Sequence, residues 1–252
     1  MKIQLKSIAA VVAAAALFVS CSSDDSTPVN PNAFGDAEVY FDNGVAGDAL
    51  ILGTTYTNSN GERLTINRLN YIVSNFTLIK EDGTEYVYPK EESYFVISQE
   101  NDMLTVHLEN IPEGDYKKVR FGIGVDQQRY LQGETAQQSF WDLAAANEMT
   151  WTWSTGYRFI NFEGTFNTAA SPEDKIFQVH QASNTATDNY REITLNLPTT
   201  ARVREGEVPS IHVKTNANVI LDGQQKIKLS DNLNPAGTGA AIMGGENLIT
   251  IA

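Results

Sequence analysis

Short runs of β-branched and aromatic residues, bounded by turn residues and alternating with a period of two, recur along most of this chain. Successive side chains of a strand point to opposite faces, so such alternation marks strands that bury one face. Glu38–Phe41, Asn70–Ile79, Tyr94–Ile97 and Lys118–Ile123 carry the pattern in the first half. Lys175–His180, Arg191–Leu197, Ser210–Thr215 and Val219–Leu221 carry it in the second. No strand–helix–strand rhythm separates them, which predicts antiparallel sheets. Glu81-Asp82-Gly83-Thr84 between Ile79 and Val87 is a hairpin signal, because Asp-Gly supplies the positive φ of a tight turn. Ile111-Pro112-Glu113-Gly114-Asp115-Tyr116 predicts a second strand-to-strand turn. One stretch departs from the pattern: 134–147 is rich in helix formers, with Phe140, Leu143 and Ala144 at helical spacing. The expected fold is all-β, an antiparallel β-sandwich with one short helical insertion.

The amino terminus sets the compartment. Lys2 and Lys6 precede an apolar run, Ile8 to Val19, of about a dozen residues, which fits the core of a signal peptide and falls short of the roughly 20 needed to span a bilayer. Phe18-Val19-Ser20-Cys21 follows and resembles a bacterial lipobox around the chain's single cysteine. Cys21 is then the lipidation site, where acyl chains give the multiple anchors that stable membrane attachment requires. The reading divides the chain into a lipoprotein signal peptide (1–20), a polar, Pro-bearing flexible tether (21–36) and a folded domain (37–252). The expected location is the outer membrane or cell surface, lipid-anchored, with the periplasmic face as an alternative. The formal net charge of −13 repels phosphate backbones and argues against nucleic acid as a partner.

Catalytic signatures are missing. There is no Gly-x-Ser-x-Gly elbow, no Walker loop, no His-Glu-x-x-His and no cysteine pair, and Gly122-Ile123-Gly124-Val125-Asp126 lacks the third glycine of a dinucleotide loop. A carboxylate pair for glycoside cleavage, such as Glu163 with Asp126, is conceivable only if the two side chains meet. The expectation is a binding protein without an activity of its own. Of the three histidines, His107 alternates with Leu104, Val106 and Leu108, and His212 with Ile211 and Val213, so both are expected to face outward. His180 opposes the apolar Phe177 and Val179 near the end of its strand, which on alternation alone reads as a surface histidine. Two of the chain's three tryptophans, Trp151 and Trp153, stand two residues apart; on an extended strand both indoles share a face. That face is either a core face, where large aromatics contribute buried area, or an exposed one suited to a ligand or a glycan.

Several segments in fixed order carry a family resemblance. Val39-Tyr40-Phe41-Asp42 is followed by Tyr56–Glu62, then by Leu64–Asn75, a strand ending Tyr71-Ile72-Val73-Ser74-Asn75. Ile111-Pro112-Glu113-Gly114 and Phe121–Asp126 come next, then Met149–Gly164 with the tryptophan pair and Gly156-Tyr157. The His180 strand, Leu195-Asn196-Leu197 and a Gly-rich stretch from Asn234 to Gly245 close the series. The ordered set resembles the MbnP-like family of periplasmic or surface copper-binding proteins. The resemblance implies copper held by histidine imidazoles, in some members beside a tryptophan oxidised to kynurenine by a partner di-haem cytochrome c peroxidase. Carried to this sequence, His180 becomes a ligand and Trp151 or Trp153 the oxidisable residue. Asn43 stands where many relatives have histidine, so a second imidazole would have to come from His212 or His107. Surface glycan or protein binding by the same scaffold is the alternative.

Overall fold

The structure, a computed structural model, describes residues 28–223 and 225–244. The proposed signal peptide, Cys21 and the tether as far as residue 27 lie outside the described residues. Two sheets face each other. In the smaller sheet β1 (Phe34–Val45) is central; it also pairs with β2 (Asp48–Ala49) in a tight hairpin. The larger sheet is organised around β4 (Arg63–Lys80), whose ends and middle are edged by β3 (Thr55–Thr57), β5 (Glu85–Val87) and β6 (Tyr94–Ser98). Next come β7 (Thr105–Pro112), which flanks β1, and β8 (Gly114–Ile123), which flanks β4. β9 (Ile160–Thr168), β10 (Ser171–Gln181), β11 (Arg191–Val203), β12 (Ser210–Asn216) and β13 (Gly239–Ile242) complete the set. The larger sheet runs β11-β8-β4-β9-β10-β13, and β12 joins the smaller sheet beside β1. The all-β sandwich read from the sequence is the observed fold. Two pairings, β1 with β12 and β10 with β13, are parallel; both join strands distant in sequence, where no hairpin imposes the antiparallel sense.

The main core fills the space between the sheets. Phe41 of β1 meets Phe121 of β8 edge-on at 5.5 Å, and Phe76 of β4 stacks on the same ring at 5.5 Å. Burying one such side chain stabilises by about 1.5–3 kcal/mol, so a core of many aromatics sets the relation of the two sheets firmly. A second, smaller core lies on the outer face of the larger sheet. Ile72, Val96 and Tyr94 from β4 and β6 meet Ala144, Met149, Tyr157 and Phe159 there. Because both faces of β4 are covered around Tyr71, Ile72 and Val73, that stretch is apolar without a break, and alternation alone cannot show which residues face which way.

The covering layer is the helical insertion. α1 (Gln127–Tyr130) is followed by a 3-10 turn at Glu134–Gln137 and α2 (Gln138–Ala146). Ala144 is buried and Phe140 packs against the second core, whereas Leu143, expected on the same face, is 37 % exposed. The family-like motifs Ser74-Asn75 and Gly124-Val125-Asp126 form the latch that holds this layer. Ser74 donates to the Gly124 carbonyl at 2.7 Å, and Asn75, with φ 55°, donates to Asp126 at 3.1 Å. Asp126 also accepts from Tyr94 at 2.6 Å and Lys90 at 2.9 Å, and caps α1 through the Arg129 amide at 3.2 Å. Burial pushes the Asp126 carboxyl up, but the bonds from Tyr94, Lys90 and Asn75 outweigh it and hold the group below the usual carboxylate range. Losing the cap and these charge-assisted bonds is expected to cost about 3 kcal/mol in Asp126→Ala. A thermal melt should then show a fall of about 6–12 °C for a domain of this size; an unchanged melt would remove the latch from the account.

The structure departs from the sequence expectations in three places. The expected tether runs to residue 36, but β1 begins at Phe34, Gly35 pairs with Ile111, and the Asn30 amide is tied to Glu113 at 2.7 Å. Val219–Leu221 was expected to be a strand; Ala217–Ile220 is a 3-10 turn started by Asn216, whose side chain accepts from the Asn218 amide. The tryptophan segment, a strand on the sequence pattern, is a closed loop.

Candidate metal centre

The site lies on the outer face of the larger sheet, under the carboxyl-terminal part of the insertion. Phe177 and Val179 of β10 and Phe162 of β9 point into the main core, so Gln178, His180, Asn161 and Glu163 point outward. A register shift between Ile66 and Arg68 of β4 keeps Ile66 inward and turns Arg68 outward. Strand pairing then sets two rows across β10, β9 and β4: Gln178–Glu163–Arg68 and His180–Asn161–Asn70.

Glu163 joins the first row to the second. Its Oε1 lies 2.7 Å from His180 Nε2 and accepts from Gln178 at 3.3 Å, while Oε2 accepts from Arg68 at 3.0 Å. Arg68 also holds Glu100 at 2.9 Å and Glu148 at 2.7 Å. Burial raises the Glu163 carboxyl, yet His180 and Arg68 outweigh it and keep the group ionised below the usual range. His180, read from alternation as a surface residue, is 1 % exposed, because its face of the sheet is roofed by the insertion. Burial, helped by the charge of Arg158, pulls its pKa below the ordinary histidine value against the opposing pull of Glu163. The imidazole is therefore neutral at neutral pH. With Nε2 facing a carboxylate, Nε2 carries the proton and donates; Nδ1 is left with a bare lone pair, buried and without a hydrogen-bond partner. Both shifts act in the same direction on stability. On acidification the unfolded chain takes up these protons first, so stability is lost through the ordinary histidine range and then the carboxylate range.

The roof is the loop that carries the tryptophans. A bridge between Thr150 and Tyr157 closes it, with the Trp151 amide donating to the Gly156 carbonyl at 3.1 Å and the Arg158 amide to the Met149 carbonyl at 2.7 Å. Gly156 has φ 132°, and a Cβ there would meet the Tyr130 hydroxyl, so only glycine makes this return. Both indoles still come together, at 5.0 Å and 44°, by folding of the loop and not by strand alternation. Trp151 is half-buried with its ring 5.6 Å from that of His180, and the Arg158 guanidinium sits 5.0 Å over the indole as a cation–π contact. Trp153 is 70 % exposed. Neither indole occupies a core position, which removes the packing explanation of the pair. Glu148, at φ 57°, ties the loop down: its carbonyl accepts from Arg158 and from Asn161, both at 3.1 Å, and its carboxylate grips Arg68.

The structure brings His180, Trp151 and Trp153 together and leaves the other candidates elsewhere. His107 and His212 do face outward, as expected, but on the smaller sheet. His107 lies 3.3 Å from Glu38 and His212 packs on Tyr40 at 5.3 Å, so neither can supply a second imidazole beside His180. Asn43 is buried between the sheets, donating to Gln99 and accepting from Tyr71 and Thr215. It lies between the sheets, whereas His180 is on the outer face of the larger one, and both acceptor positions of its side-chain oxygen are taken. Asp126 and Glu163 belong to separate networks, the helix latch and the His180 row, so the glycosidase pair has no structural support. Among the described residues no group of three or more His, Cys, Asp or Glu side chains is arranged to hold a metal. What the site does offer is one oriented imidazole with a free nitrogen, in the carboxylate–histidine arrangement that commonly backs a metal ligand. Sequence reading missed Arg68, Glu148, Arg158, Asn70 and Asn161; alternation around Phe162 is a signal that could have placed Asn161 and Glu163 outward, but only strand register shows what they meet.

The MbnP family model matches residues 35–243. Among solved structures, MbnP from Methylosinus trichosporium is similar at 13% sequence identity and a TM-score of 0.46, over 76% of this chain and 78% of that one. No curated protein matches. On the family match, which spans most of its length, this chain belongs to the MbnP family.

Proposed function

We propose that this protein binds a copper ion at His180 Nδ1, under the Trp151 loop, as a lipid-anchored uptake or storage protein without catalysis of its own. The observation that carries the reading is the buried Nδ1 lone pair with no partner, on an imidazole whose other nitrogen is fixed by Glu163. Imidazole nitrogen suits copper, and family membership makes a metal the first ligand class to consider. Of the two indoles, Trp151 is the one beside the imidazole, so its oxidation by a di-haem peroxidase partner is the modification that would add donors to the site. Anchoring through Cys21 at the outer membrane or cell surface belongs to the same proposal. Glycan stacking suits the pair less well, because two rings inclined at 44°, one of them half-buried, make no flat platform.

The test is a copper titration of the mature chain against a competing chelator. His180→Ala should abolish binding, whereas His107→Ala and His212→Ala should bind as the parent does. Equal binding by all three variants would place the metal elsewhere and end this reading.

A further inference from the structure

We infer that the side-chain oxygen of Asn161 is the second donor of the His180 site; the inference rests on the copper reading above. Three side chains stand in one row on neighbouring strands, His180 of β10, Asn161 of β9 and Asn70 of β4. All are fully or almost fully buried, at 1 %, 0 % and 0 % exposure. Each ends in an acceptor atom with no hydrogen-bond partner: His180 Nδ1, Asn161 Oδ1 and Asn70 Oδ1. Buried acceptors are nearly always paired, so adjacent unpaired ones on one sheet face are the mark of something missing that carries positive charge or protons.

The orientation of both amides is forced. The Asn161 amide nitrogen donates to the Glu148 carbonyl at 3.1 Å. The Asn70 amide nitrogen donates to Glu100 and to the Asn147 carbonyl, both at 3.2 Å. Turning either amide over would set oxygen against oxygen, so the oxygens must take the other side. His180 is fixed in the same manner by Glu163. The segment Asn147–Glu148 and the Glu163 carboxylate therefore act together to strip donors from this row and leave lone pairs. Directly opposed residues on paired strands have Cβ atoms about 4.5–5.5 Å apart, which lets one imidazole and one short amide share an ion. Asn70, one strand further, is placed to accept from a water bound to that ion and not to ligate it directly. The result is a mixed nitrogen and oxygen donor set of uncharged ligands.

The test compares Asn161→Leu, Asn161→Asp and His180→Ala in the mature chain, with copper affinity by chelator competition and the electron paramagnetic resonance of the Cu(II)-loaded protein. Asn161→Leu should bind at least about tenfold more weakly, and Asn161→Asp, which puts an anionic oxygen in place of a neutral one, about tenfold more tightly with changed copper hyperfine coupling. Parent-like affinity and spectra in both Asn161 variants, with binding lost in His180→Ala, would overturn the inference and leave the copper reading standing; the row would then hold only a buried water. No binding by the parent would overturn both. Should Asn161→Leu fail to fold, Asn161→Asp decides alone, since unchanged affinity and spectrum there are incompatible with a ligating oxygen.

Discussion

On the proposed copper reading, Glu163→Gln is expected to weaken binding by about 10- to 100-fold while the protein stays folded. The carboxylate of Glu163 does two things for His180: it accepts the Nε2 proton, which fixes Nδ1 as the free nitrogen, and it adds electron density to the ring. A glutamine amide keeps the shape and can still accept that proton, but removes the charge. Arg68 retains Glu100 and Glu148 as partners, so no bare cation is left behind. The sign of the pH effect separates this from general damage. Glu163 is what raises the His180 pKa against burial and Arg158, so without it the imidazole is protonated only at still lower pH. The variant should therefore bind copper more weakly at neutral pH, while the pH at which its affinity begins to fall below its own neutral-pH value should lie lower than in the parent. Chelator competition across a pH series checks both. Weaker binding with that onset unmoved or raised would mean that Glu163 acts by packing alone.

Gly164→Ala, one residue along the same strand, is expected to cost the protein about 3 kcal/mol or more, and its melting temperature about 6–12 °C. A Cβ on Gly164 would fall on the Thr65 carbonyl oxygen of β4 and lie 2.9 Å from the Phe177 ring. The first obstacle is backbone in a paired strand, and the second is a fully buried ring in the main core, so neither can yield cheaply. Relief requires β9 to move away from β4, which would carry Glu163 out of reach of Arg68. Gly244, with no atom near its virtual Cβ, is the control: alanine there should stay within about 0.5 kcal/mol of the parent. A differential scanning calorimetry comparison checks the pair. Equal melting temperatures would show that the β4–β9 spacing is softer than the packing implies.

What was legible in the sequence follows a physical boundary. Strands with one buried face announced themselves, as in Lys118–Ile123 and Lys175–His180, because alternation is dictated by the pleat. The Asp82-Gly83 turn was legible because Gly83 does take a positive φ, at 85°. The helical insertion was legible from helix formers in a β-rich chain. The tryptophan loop was not, since Thr, Trp and Tyr favour strands locally, and only the return at Gly156 and its pairing to Trp151 decide otherwise. His180 was placed correctly on the face opposite Phe177, but its burial depends on a roof supplied by residues 126–158, which no local pattern around His180 encodes. The donor row has the same origin: Asn70 and Asn161 are unremarkable in sequence and become a site through register. The Ser74-Asn75 and Gly124–Asp126 motifs that carried the family resemblance hold the roof in place and do not themselves bear the chemistry.

The central claim is that His180, with Nδ1 free and Trp151 over it, holds copper. Its most direct test is metal content together with intact mass on the protein purified from its native host, beside a His180→Ala variant. Near-stoichiometric copper in the parent and its loss from a folded variant are the predicted result, and a mass gain confined to a Trp151 peptide would identify the ring that joins the site. A folded parent that carries no copper even after loading would contradict the claim, and its surface tryptophan would then be the place to look for a different ligand.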